Sequence, residues 1–235
     1  FTSATLSIEH DVSYFTKLLG IESSRSLLLD SPFDYQQQAL LYVPRYLPET
    51  FEQDRASRLV EIAVPLFETA KGRSFFLFTS YKIMYQVAEQ LNETIDWPIF
   101  VQGDKPKSTL LEEFLSTENS ILLATSSFWE GVDVKGDKLI CVIIDKLPFG
   151  APDEPFFQSK AENNKANGGN PFTDIQIPQA VISLKQGVGR LIRGASDRGL
   201  MVICDSRIVN RNYGGTFLGS LPDMRRTRDE TESIS

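Results

Sequence analysis

The residues best suited to chemistry in this chain form one short run, Gln186-Gly187-Val188-Gly189-Arg190-Leu191-Ile192-Arg193. Arg190 and Arg193 are three apart, a spacing that puts both on one face of a helix. Two guanidiniums held beyond glycines can clamp phosphate oxygens, since each offers a planar fork of donors that does not deprotonate. Aimed at a transferring γ-phosphoryl group, such a clamp stabilises developing charge, the work of an arginine finger. A solvated basic helix face would use the same spacing. Gly187 and Gly189 weigh against that, because glycine inside a helix costs roughly 1 kcal/mol unless something needs close approach.

A second constellation covers residues 124–133, Ala-Thr-Ser-Ser-Phe-Trp-Glu-Gly-Val-Asp, directly after an apolar run. Small hydroxyl side chains at Ser126 and Ser127, with Gly131, would let backbone N–H groups approach a nucleic-acid phosphate. Asp133 suits a nucleotide ribose or a nearby arginine. Trp129 can stack on a base, worth roughly 1–3 kcal/mol in single-strand binders, although an aromatic beside Phe128 also suits a core. Thr79-Ser80 and Gln102-Gly103 follow other apolar runs in the same way. Singly each could be only a helix cap, and their recurrence in order gives them weight.

These residues need elements to carry them. Short β-branched or aromatic runs alternate with amphipathic stretches, which predicts an α/β fold with a mainly parallel sheet and helices on both faces. Predicted strands cover residues 27–29, 39–43, 74–79, 99–102, 121–125, 139–145 and 200–205. Most are continuous apolar runs, as strands buried on both faces require. Helical spacing covers 12–19, 48–70, 81–92, 107–116 and 177–192, and Pro65 is expected to end or kink the second of these. Several strands finish in Thr, Ser, Gln or Asp just before a helix, and open parallel sheets bind ligands at those carboxyl ends. Residues 148–172, rich in proline, glycine and asparagine, predict a long surface excursion.

Composition narrows the chemistry further. The 235 residues suffice for one large domain, and 41% hydrophobic with 23% charged residues is ordinary globular composition. The net charge of -7 argues against a uniformly basic coat for nucleic acid, yet residues 185–228 carry nine basic side chains against three acidic ones. Overlapping the end of that region, residues 221–235 predict a flexible, basic tail. One histidine, His10, and two cysteines, Cys141 and Cys204, leave no zinc-ligand spacing and no histidine triad. No apolar run is long enough to span a membrane and no signal peptide opens the chain, so a cytoplasmic location is expected. Phe1 in place of an initiator methionine predicts a piece of a longer polypeptide.

On these residues the chain resembles superfamily 2 DNA helicases of the XPD-like, iron–sulfur branch that includes DinG and YoaA. Residues 186–193 are similar to their sixth motif, 124–133 to the fifth, Phe78-Thr79-Ser80-Tyr81 to the fourth and residues 1–6 to the third. The flanks at 180–185 and 195–199 look especially like YoaA. The resemblance runs from residue 1 to about residue 228.

It implies a second, C-terminal RecA-like motor domain spanning residues 1–235. Gln186, Arg190 and Arg193 would act on ATP, with Gly131, Asp133 and Gly189 near the nucleotide. Thr79, Ser80, Gln102, Ser126, Ser127 and Trp129 would follow single-stranded DNA, with travel from 5′ to 3′ in repair or replication. No G-x-x-x-x-G-K-[ST] loop and no Asp-Glu-Ala-His-type pair for magnesium occurs. The resemblance assigns the primary cradle for ATP and Mg2+, and a 4Fe–4S cluster held by four cysteines, to a first half preceding Phe1. This chain alone is therefore expected not to hydrolyse ATP. It also implies a partner, the chi subunit of DNA polymerase III, placed at Arg226 and Thr227. The rival reading is a catalytically silent docking module for such a replication partner.

Overall fold

The computed structural model describes residues 1–3, 5–45, 54–125, 128, 134, 138–150 and 154–233. Among these, seven strands form one sheet: β1 (Ala39–Tyr42), β2 (Ser74–Phe78), β3 (Ile99–Val101), β4 (Ile121–Thr125), β5 (Cys141–Ile144), β6 (Gly199–Ile203) and β7 (Arg225–Thr227). Their order is β3-β4-β2-β5-β6-β1-β7, and every pairing is parallel. The described helices are α1 (Ser13–Leu18), α2 (Tyr35–Gln38), α3 (Arg55–Ala70), α4 (Tyr81–Thr94), α5 (Lys107–Ser116), α6 (Pro155–Ala166), α7 (Ile177–Val188), α8 (Arg207–Asn210), α9 (Gly214–Ser220) and α10 (Glu230–Ser233), with a π-helical turn at Phe172–Gln176 running into α7.

The twofold period of the strands divides the interior into two cores. In β2, Phe75 and Leu77 enter one, and Phe76 and Phe78 the other. Helices α3 and α4 cover the Phe76 face through Leu59, Ala63, Leu66, Phe67, Met84, Val87 and Leu91. Helices α5, α7 and α9 cover the Phe75 face through Leu110, Phe114, Ala180, Val181, Leu184 and Phe217. The apolar positions of α3 recur three and four apart, so a single stripe faces the sheet. Burying each large side chain stabilises the fold by about 1.5–3 kcal/mol, and these stripes lock the helices in place.

The structure departs from the sequence expectations at five places. Residues 27–29 are not a strand, and Leu27 and Leu29 are exposed, because the run is short and flanked by polar residues on both sides. Helix α3 continues past Pro65 to Ala70. The carbonyl that proline deprives of a donor belongs to exposed Glu61, where water can serve it. The excursion at 148–172 contains α6, opened by Pro155 in its first turn, a position where a missing N–H costs nothing. Helix α7 stops at Val188 instead of reaching residue 192.

Part of the segment expected to be a flexible tail packs against the sheet. Leu221 and Met224 are buried, and β7 adds to β1 with the Val43 N–H donating to the Thr227 carbonyl at 3.0 Å.

Candidate functional site

The carboxyl ends of β2, β3, β4 and β5 line up and carry a connected set of polar groups. Asp145, fully buried just past β5, accepts the Thr79 N–H at 2.9 Å, with the Thr79 hydroxyl 3.5 Å from its other oxygen. Burial pushes the Asp145 carboxyl up to about 6, against the pull of Arg55 and Lys146. Arg55, the first residue of α3 and itself buried, donates to the carbonyls of Asp145 and Cys204, the latter at 3.1 Å. It brackets the ends of β5 and β6. Beside it, Asp205 accepts the Leu147 N–H at 2.8 Å and the Arg207 fork at 2.6–3.1 Å. Burial works against the Asp205 carboxylate, but the Arg207 and Leu147 donors outweigh it and hold its pKa below the usual range.

Thr79 is exposed, and Ser80 takes the N-cap position of α4 without spending its side chain on a capping bond. Thr79 thus lies at the surface and Ser80 is half-buried, at the junction of β2 and α4. Gln102 is bonded within the protein at both ends of its amide. Its Oε1 accepts the Thr125 N–H at 2.7 Å and the Thr125 hydroxyl at 3.0 Å, while its Nε2 donates to the Tyr81 hydroxyl at 2.7 Å. With both ends of its amide engaged, Gln102 is a bracket between β4 and α4. Ser126, Ser127, Trp129, Gly131 and Asp133 lie outside the described residues. Their neighbour Phe128 is buried, with the Lys107 ammonium 5.0 Å from its ring centre.

The arginine run sits at the other end of the sheet. Because α7 ends at Val188, Gly189 is its C-cap and Arg190 and Leu191 form a tighter turn, their N–H groups donating to Gly187 and Val188. Arg190 and Arg193 are therefore not an i, i+3 pair on one helix. Gln186 lies half-buried in the last turn, Arg190 is half-buried and Arg193 exposed. Two residues that the sequence reading passed over fix this turn. Asp197 accepts the N–H groups of Arg193 and Gly194, both at 2.8 Å. Buried Gln38, immediately before β1, donates to the carbonyls of Gly194, Ala195 and Asp197 at 2.8–3.2 Å. Gly199, the first residue of β6, has no room for a Cβ beside the Leu191 side chain. The turn thus abuts the amino ends of β1 and β6, away from Thr79 and Gln102. Lys185 ties α7 to the start of the chain by donating to the Ser7 carbonyl at 2.6 Å, and burial lowers its pKa.

Of the proposed partner contacts, Arg226 is exposed on β7 and donates to the Leu218 carbonyl at 2.9 Å. Thr227 is buried, and its hydroxyl accepts the Asp229 N–H at 3.0 Å, so it does not offer the surface expected of it. Cys141 and Cys204 are buried, and burial pushes the Cys141 thiol up to about 12. Two inward-facing thiols are no ligand set for an iron–sulfur cluster. Among the described residues no group of three or more His, Cys, Asp or Glu side chains is placed to hold a metal ion, and no helix is long and apolar enough to cross a membrane. A cleft of about 660 Å³ between the first residues, the start of α7 and α9 includes none of the sites above.

The model of the helicase C-terminal domain matches residues 63–224. The chain is 53% identical to the ATP-dependent DNA helicase YoaA of Escherichia coli, over all of this chain and 37% of that protein. It is 40% identical to the ATP-dependent DNA helicase DinG of Photobacterium profundum, over 95% of this chain and 34% of the relative. It thus spans a little over a third of the length of these curated relatives. Among solved structures, an apo XPD aligns over 92% of this chain and 46% of its own length, with a TM-score of 0.70 at 18% identity, which establishes the shared RecA-like α/β fold.

Proposed function

Since the chain belongs to the family of helicase C-terminal domains, we propose that it is the second motor half of an ATP-dependent DNA helicase of the YoaA and DinG kind. The observation that carries this reading is the Gly189–Asp197 turn, which presents Arg193 to solvent on a backbone fastened by Gln38 and Asp197. In this reading Arg190 and Arg193 reach the phosphates of an ATP whose primary cradle, with its Mg2+, lies in a first half elsewhere in the protein. Guanidiniums suit that role because they neutralise charge without proton exchange. Gln186 and Gly189 line the same approach. Thr79 and Ser80 contact the backbone of single-stranded DNA at the opposite end of the sheet, and travel runs 5′ to 3′ in DNA repair or replication.

The test is Arg190→Ala and Arg193→Ala in the complete protein. DNA-stimulated ATP hydrolysis should be lost in both while thermal unfolding stays unchanged. Full turnover in both variants would remove the assignment.

The open edge of the sheet favours a second, compatible reading. Among the described residues β7 pairs only with β1, and it carries exposed Arg225 and Arg226, a surface suited to a polymerase accessory subunit such as chi. Deleting the segment would strip a strand and buried Met224 from the core. Arg226→Glu is the cleaner probe, and co-purification with chi should fall if the docking is real.

A further inference from the structure

Tyr81 and Tyr85 stand one turn apart on α4, directly after Thr79 and Ser80, and are 49% and 46% exposed. Their rings lie 6.3 Å apart and tilted by only 27°. Tyrosine at a protein surface ordinarily buries its ring and leaves the hydroxyl in water. Here the hydroxyls are bonded to the protein while about half of each residue stays exposed. The Tyr81 hydroxyl accepts from Gln102 Nε2 at 2.7 Å, and the Tyr85 hydroxyl donates to the Gln102 carbonyl at 3.2 Å. The polar tips are fastened to the protein, and ring surface is left facing solvent. Gly103, at φ +109°, keeps the space at the Tyr85 hydroxyl clear, since a Cβ there would collide with it. By contrast Phe76 and Phe78, a few residues earlier, are 0% and 1% exposed.

Tethered rings with open faces are a preorganised surface for another flat π-system, because the freedom lost on stacking has already been removed. We propose that Tyr81 and Tyr85 form a platform on which bases of single-stranded DNA stack. This rests on the DNA-track reading above and deepens it. The platform adjoins the Thr79 and Ser80 hydroxyls, which suit the sugar–phosphate backbone, and exposed Lys82 lies between the two tyrosines in sequence. Gln102 then joins the platform to Thr125, the last residue of β4, so the bases would rest on a surface fastened to the sheet. Stacking of this kind tolerates any base, which is what movement along arbitrary sequence demands.

The experiment compares binding of the complete protein to oligothymidylate and to an abasic deoxyribose-phosphate oligomer of equal length. The unaltered protein should prefer the base-bearing strand by roughly tenfold or more. Tyr81→Ala, Tyr85→Ala and the double variant should lose that preference while holding the abasic strand as before. Tyr85→Phe, which keeps the ring and loses only its tether, should fall between. Equal losses on both strands, or no loss on either, overturn the platform. An unaltered protein that binds both strands equally removes the platform and leaves the backbone track standing, whereas one that binds neither removes the DNA reading itself.

Discussion

The two ends of the sheet solve the same problem, holding polar groups at the edge of an apolar core, in opposite ways. At the carboxyl ends the side chains hold both the main chain and one another: Asp145 accepts the Thr79 N–H, Gln102 joins the Thr125 N–H to the Tyr81 hydroxyl, and Arg207 pairs with Asp205. At the amino ends the arginine turn is held through its backbone, by Asp197 on two N–H groups and Gln38 on three carbonyls. The first is a network whose members spend their own polarity on structure. The second fixes a main chain through its N–H and carbonyl groups. In the proposed motor, a domain built this way would alter its grip on one ligand without unmaking the site for the other.

The largest effect should come from breaking the amino end. Arg193→Ala in the complete protein should lower ATP turnover by about a thousandfold or more, the usual worth of an arginine finger. Affinity for single-stranded DNA measured without nucleotide should stay within about twofold. A parallel collapse of DNA affinity would show that the two ends are one site.

Next in size is a stability effect at the carboxyl end. The carboxyl of Asp145 titrates near 6 in the folded chain against 3.8 ordinarily, so the folded state binds this proton more tightly. Its contribution to stability is therefore complete below about pH 4 and is lost as pH rises through about 6, a change of about 3 kcal/mol. Asp145→Asn keeps an acceptor for the Thr79 N–H and removes the charge. Chemical denaturation of the variant between pH 4 and 7 should show that slope flattened. An unchanged slope would place the titration elsewhere.

The backbone clamp offers a smaller, sharper probe. Asp197→Ala should slow ATP turnover by roughly 10–100-fold, because an error of about 1 Å at a reacting group costs that much. The double variant should then be little worse than Arg193→Ala alone, since both changes act on one guanidinium. Full additivity would mean that Asp197 does not act through Arg193.

Much of this was legible before any coordinates. Strands at 74–78, 99–101 and 121–125 stand out as apolar runs that end in hydroxyl or amide side chains, and period alone puts Phe75 and Phe76 on opposite faces. Arg55 could have been found: positions 55, 59, 63, 66 and 67 share one helical stripe, so an arginine there must be buried and bonded. β7 could not. Three residues with two arginines carry no strand signature, and only the place beside β1 makes them one. Gln38 and Asp197 were silent for a similar reason, because their partners are backbone atoms, which every residue has. The end of α7 at Val188 was hidden because apolar Leu191 and Ile192 continue the helical period while filling the core from a turn.

The smallest effect tests the carboxyl end as a contact surface. Thr79→Ala and Ser80→Ala each remove one neutral hydroxyl, and a neutral hydrogen bond is worth about 0.5–1.5 kcal/mol, so affinity for single-stranded DNA should fall about two- to tenfold. No charge is removed, so no counterion release is lost, and the slope of affinity against salt should not change. A shallower slope would mean that the substitution had moved a lysine or arginine, making these hydroxyls part of the scaffold. Thr79 is the more exposed of the two and its N–H is already held by Asp145, so its side chain can be removed without loosening the turn. An unchanged slope together with intact ATP binding would therefore assign the loss to a direct contact at this end of the sheet.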